Sequence, residues 1–304
     1  MLAIVAPGQG AQTPGFLSAW IEDSSAKELL QSWSDLAELD LIRLGTTADA
    51  DEIRETSFAQ PLLVAAGLLS YRALGNPASN LIAGHSVGEI TAAGISGVLS
   101  HSDAMKLVSI RGKAMSAAAT GTNTGMAACL GGDREVVVAH LASLGLTPAN
   151  ENGGGQIVAA GPLAKIEELK ANPPEKVRII PLQVSGAFHT SVMAPAVAAL
   201  EELIPSLTLS TPSIPAISNK DGGIVNDAKE NLARIVGQVA GPVRWDLCMQ
   251  TMADQGVTGV LEVAPGGTLT GLVKRAHSSI AQFAVKSPDD IDAAKSFISE
   301  HVEA

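Results

Sequence analysis

The chain opens on LAIVA at residues 2–6, an unbroken apolar run ended by Pro7, Gly8 and Gly10, which predicts a buried strand entering a tight loop. Residues 59–74, AQPLLVAAGLLSYRAL, have helical length and an Ala/Leu face, with Pro61 where a first helical turn tolerates it. NLIA at 80–83 reads as a short strand, followed by GHSVGE and the helix-forming EITAAGISGVL. Between about 125 and 185 the rhythm changes: GMAACL, DREVVVAHLASLG, LTPAN, QIVAAG, PLAKIEELKAN and VRIIPLQV alternate strand, helix, strand, strand, helix, strand. That βαββαβ order is the pattern of a ferredoxin-like module, with the Gly-rich NENGGGQ at 150–156 as a turn. The α/β rhythm then returns, with a helix near 191–204, a strand at 214–218, helices near 227–239 and 244–256, a strand at 259–263 and a closing helix near 289–302. The pattern therefore predicts a small module inserted into a larger α/β domain, without internal repeats.

Composition narrows this picture. Hydrophobic residues make up 46% of the 304 positions and aromatics only 3%, so the core is built from Ala, Val, Leu and Ile, as suits a helix-covered parallel sheet. A formal charge of −11 without a basic run leaves no electrostatic footprint for nucleic acid. Cys129 and Cys248 lie far apart with no paired spacing, which reads as two core thiols in a reducing compartment. The N-terminus lacks the cationic segment of a signal peptide, and no uncharged apolar run reaches spanning length, so a cytoplasmic protein without a membrane segment is expected.

Candidate chemistry begins at Gly84-His85-Ser86-Val87-Gly88, a match to G-x-S-x-G, the turn that presents a strained serine between a strand and a helix. The bare pattern is weak and also fits a structural turn, but its place between an apolar run and a helix-forming one favours a nucleophile. A serine nucleophile needs a base, and histidine suits the task near neutral pH. Of six histidines, His85 should point away from Ser86, and His101, His140 and His301 sit in polar or helical surroundings, which leaves His277 and His189. His189 follows the last strand of the small module, in a loop where a base could overhang Ser86. In SHSDAMKLVSIRGKAMSAA, Ser102 or Asp103 can cap a helix whose apolar stripe runs through Ala104, Leu107, Val108, Ala114, Met115 and Ala118. Arg111 falls on that stripe. A buried guanidinium must be paired, either in a structural salt bridge or as a bidentate clamp for a substrate carboxylate.

Several motifs together resemble the malonyl-CoA:acyl carrier protein transacylases and the acyltransferase domains of fatty acid and polyketide synthases. GQGAQ at 8–12, QP at 60–61, GHSVGE at 84–89, RG at 111–112, GAFH at 186–189, PVRW at 242–245 and EVAPGGTLTGL at 262–272 stand in that family's order and approximate spacing, over nearly the whole chain. The resemblance implies an α/β-hydrolase-like large domain with a parallel sheet, residues 1–123 and 187–304, carrying a ferredoxin-like subdomain at 124–186. It assigns Ser86 as nucleophile, His189 as base and Arg111 as partner of the malonyl carboxylate. It maps the oxyanion hole onto the N–H groups of Gln9 and Val87, and the residue after an elbow serine indeed opens a helix with its N–H unpaired. The imidazole is oriented in that family by a main-chain carbonyl, here mapped to Gln238. Asn150 and Asn152 match a loop lining the cleft, and Phe188 stands where acyltransferases that accept the branched methylmalonyl unit place a smaller residue.

The activity this implies is ping-pong transfer of malonyl from malonyl-CoA to the phosphopantetheine thiol of an acyl carrier protein, through a malonyl-Ser86 ester. No metal and no resident cofactor is expected; coenzyme A is part of the substrate, and phosphopantetheine belongs to the carrier. The protein is expected to be a free-standing monomer. Carriers of this family are acidic, so docking calls for a local basic patch, for which Lys113, Lys274 and Arg275 are candidates. Two alternatives are a serine esterase or thioesterase of the α/β-hydrolase type, which leaves Arg111 unexplained, and an inactive homologue that only binds a carrier protein.

Overall fold

Strand β1 (Leu2–Ala6) is buried at all five positions, and its alternate residues serve two cores. Leu2, Ile4 and Ala6 pack into one apolar cluster and Ala3 and Val5 into another on the opposite face, which is why the run is apolar throughout. The computed structural model describes residues 1–302. The same sheet contains β2 (Leu81–Gly84), β7 (Ala216–Ile217), β8 (Ile224–Val225), β10 (Gly259–Glu262) and β11 (Ala281–Ala284). Its order is β11-β10-β1-β2-β7-β8, parallel except for the β7–β8 hairpin at one edge. Ile4 lies level with Leu261 on one side and Ile82 on the other, so the chain leaves β1 and β2 at the same end of the sheet. Ligands of open parallel sheets bind at that carboxyl end.

The inserted module has β3 (Thr124–Gly131), β4 (Thr147–Gly153), β5 (Gln156–Pro162) and β6 (Val177–Pro181), with helices Arg134–Ser143 and Leu163–Ala171 between them. The order β6-β3-β5-β4 places the last strand beside the first, in the predicted βαββαβ arrangement, over its own core of Cys129, Val137, Leu141, Ile166 and Leu169. A fifth strand, β9 (Val243–Arg244), joins β4 in parallel and comes from the second half of the large domain. The small sheet is thus stitched to the large domain by hydrogen bonds, beyond its two chain connections. The pattern reading did not anticipate this pairing, because a two-residue strand carries no periodic signal.

Other differences are local. Asn150–Gly153 belong to β4, and the turn predicted over 150–156 shrinks to Gly154 and Gly155. Ser100, rather than Ser102 or Asp103, caps helix His101–Ala119, its hydroxyl accepting from the Asp103 N–H at 3.0 Å. Helices Ser24–Ala37 and Leu41–Thr46, capped by Asp23 and Asp40, and the edge strands β8 and β11 add to the predicted elements. No helix among the described residues is long and apolar enough to cross a membrane.

Candidate active site

Between β2 and helix Gly88–Ile95 the chain turns sharply at Ser86, whose φ is 55°. This left-handed conformation is strained for a residue with a side chain and is held by its surroundings. The flanking glycines make the turn possible. A Cβ on Gly84 would stand 1.9 Å from the Gly88 carbonyl carbon, and one on Gly88 would stand 2.2 Å from the Ala6 oxygen. Helix Gly88–Ile95 can therefore lie directly against β1 only because both positions lack side chains, and Ser86 is left half-buried at the tip.

His189 reaches this tip from the loop after β6. Thr190 Oγ1 donates to the Ala187 oxygen at 2.7 Å, the Ala187 N–H donates to Thr124 Oγ1 at 3.1 Å, and His189 itself takes a left-handed φ of 59°. Its Nε2 lies 2.8 Å from Ser86 Oγ and its Nδ1 lies 2.9 Å from the main-chain oxygen of Gln238. A carbonyl can only accept, so the ring proton sits on Nδ1 and Nε2 is free to take the serine proton. Gln238 ends helix Ala228–Gln238, where carbonyls lack partners within the helix; its oxygen also receives the Gly241 N–H at 3.0 Å. Burial, reinforced by the nearby Arg111 charge, holds the imidazole neutral, its pKa pushed down to about 3. His277 closes helix Thr268–Ala276 and does not line the cavity around Ser86.

Arg111 is 1% exposed, on the buried stripe of helix His101–Ala119. Its Nη1 donates to Gln60 Oε1 at 2.7 Å, and its Nη2 lies 3.3 Å from both Ser86 Oγ and Gln238 Oε1, while Nε is buried and meets no acceptor among the described residues. No carboxylate among the described residues forms an ion pair with it. Glu89 acts on it from farther away; burial pushes the Arg111 pKa down to about 10, and the Glu89 charge opposes that shift. A desolvated cation held by neutral amide oxygens, beside a serine and with two of its five N–H groups uncommitted, is suited to an incoming carboxylate.

Gly8 packs against the elbow: a Cβ there would meet the His85 oxygen at 2.8 Å. Gln9 and Val87 line the same cavity, and neither main-chain N–H meets an acceptor among the described residues. The Gln9 side chain is anchored away from the elbow, donating to the Arg54 oxygen and Thr56 Oγ1, each at 3.3 Å. Ser86, His189, Gln9 and Val87 open into one cavity of about 550 Å³, walled on its apolar side by Phe188 and Met115.

Residues 4–295 match the family described as acyl transferase domain. The malonyl CoA-acyl carrier protein transacylase of Mycobacterium tuberculosis is 45% identical over 297 residues, covering 96% of this chain and 98% of the relative. The chain belongs to the acyl transferase family. The crystal structure of the MCAT from M. tuberculosis superposes with a TM-score of 0.94 at 44% identity, covering 97% of this chain and 99% of that one. A solved complex of a type II PKS acyl-carrier protein with its malonyl-transacylase matches with a TM-score of 0.91 at 31% identity, again over 97% and 99% of the two chains.

Within this acyl transferase fold, the two asparagines from β4 divide. Both are buried and line the cavity, but Asn152 Oδ1 is taken by His85 Nε2 at 2.8 Å, while the His85 ring stands edge-on to Trp245. His85 thus turns from Ser86 toward the small sheet and ties the elbow to it. Lys274 and Arg275 are exposed on helix Thr268–Ala276, whose first residues line the cavity, whereas Lys113 is engaged by Glu38 at 2.8 Å.

Sequence reasoning passed over Gln60, Glu89 and Asn219 as individual residues. Gln60 appears there only within the QP pair, yet it is the shortest partner of Arg111. Asn219 Oδ1 accepts the Ser86 N–H at 2.8 Å and its Nδ2 donates to the Gly84 oxygen at 2.7 Å, bracing the elbow from the β7–β8 hairpin.

Proposed function

We propose that this chain transfers a malonyl group from malonyl-CoA to the phosphopantetheine thiol of an acyl carrier protein, through an ester on Ser86. Ser86 Oγ attacks the thioester carbonyl while His189 Nε2 takes its proton. The oxygen of the tetrahedral intermediate gathers negative charge against the Gln9 and Val87 N–H groups. The intermediate collapses with cleavage of the carbon–sulfur bond, and His189 returns the proton to the departing coenzyme A thiol. The carrier's thiol then gives its proton to His189 and attacks the ester; the second intermediate collapses onto Ser86 Oγ, which recovers the proton. These steps use side chains and main-chain donors alone and are assigned to the cytoplasm.

The observation that carries the malonyl assignment is Arg111, buried 3.3 Å from the nucleophile and without a carboxylate partner among the described residues. The malonyl carboxylate would supply that partner and fix the thioester over Ser86. A hydrolase of the α/β-hydrolase type would orient its histidine with an acidic residue, whereas His189 Nδ1 meets a neutral carbonyl. A neutral partner also keeps a second anion away from the substrate carboxylate. Lys274 and Arg275, at the rim, form the proposed docking patch for an acidic carrier.

The test is intact mass after brief mixing with malonyl-CoA. A single malonyl adduct forms on the wild type, disappears when holo carrier protein is added with appearance of malonyl-carrier, and is absent in a folded Ser86→Ala variant. Release of free malonate at the full turnover rate, or an unchanged adduct on Ser86→Ala, would overturn the reading.

A further inference from the structure

Glu89 is 6% exposed, in the first turn of helix Gly88–Ile95, three residues after the nucleophile, and none of the steps above uses it. Both of its oxygens accept hydrogen bonds: Oε1 from the Asn219 N–H at 2.8 Å and Oε2 from Gln238 Nε2 at 2.6 Å. Gln238 Nε2 gives its other hydrogen to Asn219 Oδ1 at 2.9 Å. The Asn219 amide is itself fixed, because its Nδ2 donates to the Gly84 oxygen and its Oδ1 receives the Ser86 N–H. With both Nε2 hydrogens committed to acceptors, Gln238 can present only its Oε1 to Arg111 Nη2, 3.3 Å away. The same residue's main-chain oxygen holds His189. Burial pushes the Glu89 pKa up to about 8, opposed by the Asn219 N–H and the Arg111 charge. Each oxygen receives an N–H, an arrangement in which the carboxyl group serves as acceptor at both positions.

We infer that Glu89 is a positioning residue for acyl-group selection: its carboxylate fixes the Gln238 amide with the carbonyl toward Arg111, and so holds the guanidinium in place for the substrate carboxylate. An amide at position 89 cannot do this. With its oxygen toward Asn219 N–H, the NH₂ of a Glu89→Gln side chain would face Gln238 Nε2, donor against donor. Turning Gln238 over to relieve the clash would aim its NH₂ at the Arg111 cation and its oxygen at Asn219 Oδ1. Turning the new amide over instead would set its NH₂ against the Asn219 N–H. No arrangement satisfies all the groups, so the Gln238 amide is no longer fixed with its carbonyl toward Arg111.

This inference rests on the malonyl reading, and its test separates the two. The ratio of kcat/KM for malonyl-CoA to that for acetyl-CoA is measured in wild type, Glu89→Gln, Gln238→Leu and the double variant, with circular dichroism to establish folding. A wild type that does not favour malonyl overturns the malonyl reading itself. With that preference present, Glu89→Gln and Gln238→Leu each lower the ratio by at least ~10-fold, and the double variant lowers it no further than Gln238→Leu alone, because the first acts through the second. Multiplicative effects, or a Glu89→Gln that slows both substrates equally, overturn the inference. Should Glu89→Gln fail to fold, Glu89→Asp takes its place. It keeps an acceptor-only carboxylate and holds the ratio within ~3-fold of wild type, whereas a ratio as low as that of Gln238→Leu overturns the inference.

Discussion

His189 Nδ1 donates to the main-chain oxygen of Gln238 at 2.9 Å, so the base is oriented by a neutral group and carries no compensating anion. Where a carboxylate in that position would raise the imidazole pKa, burial and the Arg111 charge lower it, to about 3. The neutral, catalytically competent form therefore persists as pH falls through the range where an ordinary histidine protonates. The rate of Ser86 acylation, measured by rapid quench, should show no step centred near pH 6.5, and a sigmoid there would contradict this environment for His189.

The same depression makes the fold sensitive to acid. An unfolded imidazole takes up a proton near its ordinary value of 6.5, while the folded one resists until about 3, so His189 contributes stability that is complete above 6.5 and is lost progressively as pH falls toward 3. His85, also depressed by burial, acts in the same direction. Glu89, pushed up to about 8 by burial, acts in the opposite direction, so the test is a difference: between about pH 7 and about pH 5 the urea midpoint of wild type should fall relative to that of a folded His189→Leu variant, and parallel slopes would contradict the assignment.

Gly88→Ala is expected to damage the elbow through its backbone. The added Cβ would stand 2.2 Å from the Ala6 oxygen, a clash with strand β1 that no side-chain rotation relieves. A destabilisation of at least ~3 kcal/mol, at the upper end for overpacked sites, should appear in denaturant midpoints, together with loss of acylation. A variant with wild-type stability would show that helix Gly88–Ile95 is free to move away from β1.

Phe188 is buried beside the base and lines the cavity. Phe188→Ser should raise the relative rate for methylmalonyl-CoA by opening space for the methyl branch. A single methyl in an apolar pocket discriminates by ~1–3 kcal/mol, so the shift in the malonyl to methylmalonyl ratio should lie between about tenfold and about a hundredfold. An unchanged ratio removes Phe188 from acyl selection.

The legible parts of the fold were those where burial imposes a period. LAIVA is apolar at every position because both faces of β1 are covered, and the inserted module announces itself by a strand–helix rhythm over its own small core. Strand β9 escapes because two residues, Val243 and Arg244, pair by position alone. In the site, Arg111 was conspicuous as a cation on an apolar helix face. Glu89 stands in the same kind of surroundings, but a carboxylate in a first helical turn is also the ordinary complement of the helix dipole, which masks it. Asn219 has no sequence signal, since its role exists only after the β7–β8 hairpin has joined β2. The Gln238 carbonyl belongs to the backbone, which any residue provides, and came only through the family resemblance.

The central claim is that the Arg111 guanidinium, 3.3 Å from Ser86 Oγ and without a carboxylate partner among the described residues, selects the malonyl group by its charge. Malonyl and acetyl differ by that carboxylate alone. The most direct measurement is kcat/KM for malonyl-CoA and acetyl-CoA in wild type, Arg111→Ala and Arg111→Lys, each checked for folding by circular dichroism. Losing one partner of a desolvated charge pair costs ~3–5 kcal/mol, so Arg111→Ala should lower malonyl transfer by roughly two to four orders of magnitude while acetyl transfer falls far less or rises. Arg111→Lys should recover only part of the loss, since an ammonium cannot make two parallel hydrogen bonds to one carboxylate. Equal depression of both substrates in a folded Arg111→Ala protein would show that the guanidinium serves the architecture of the site and not the choice of acyl group.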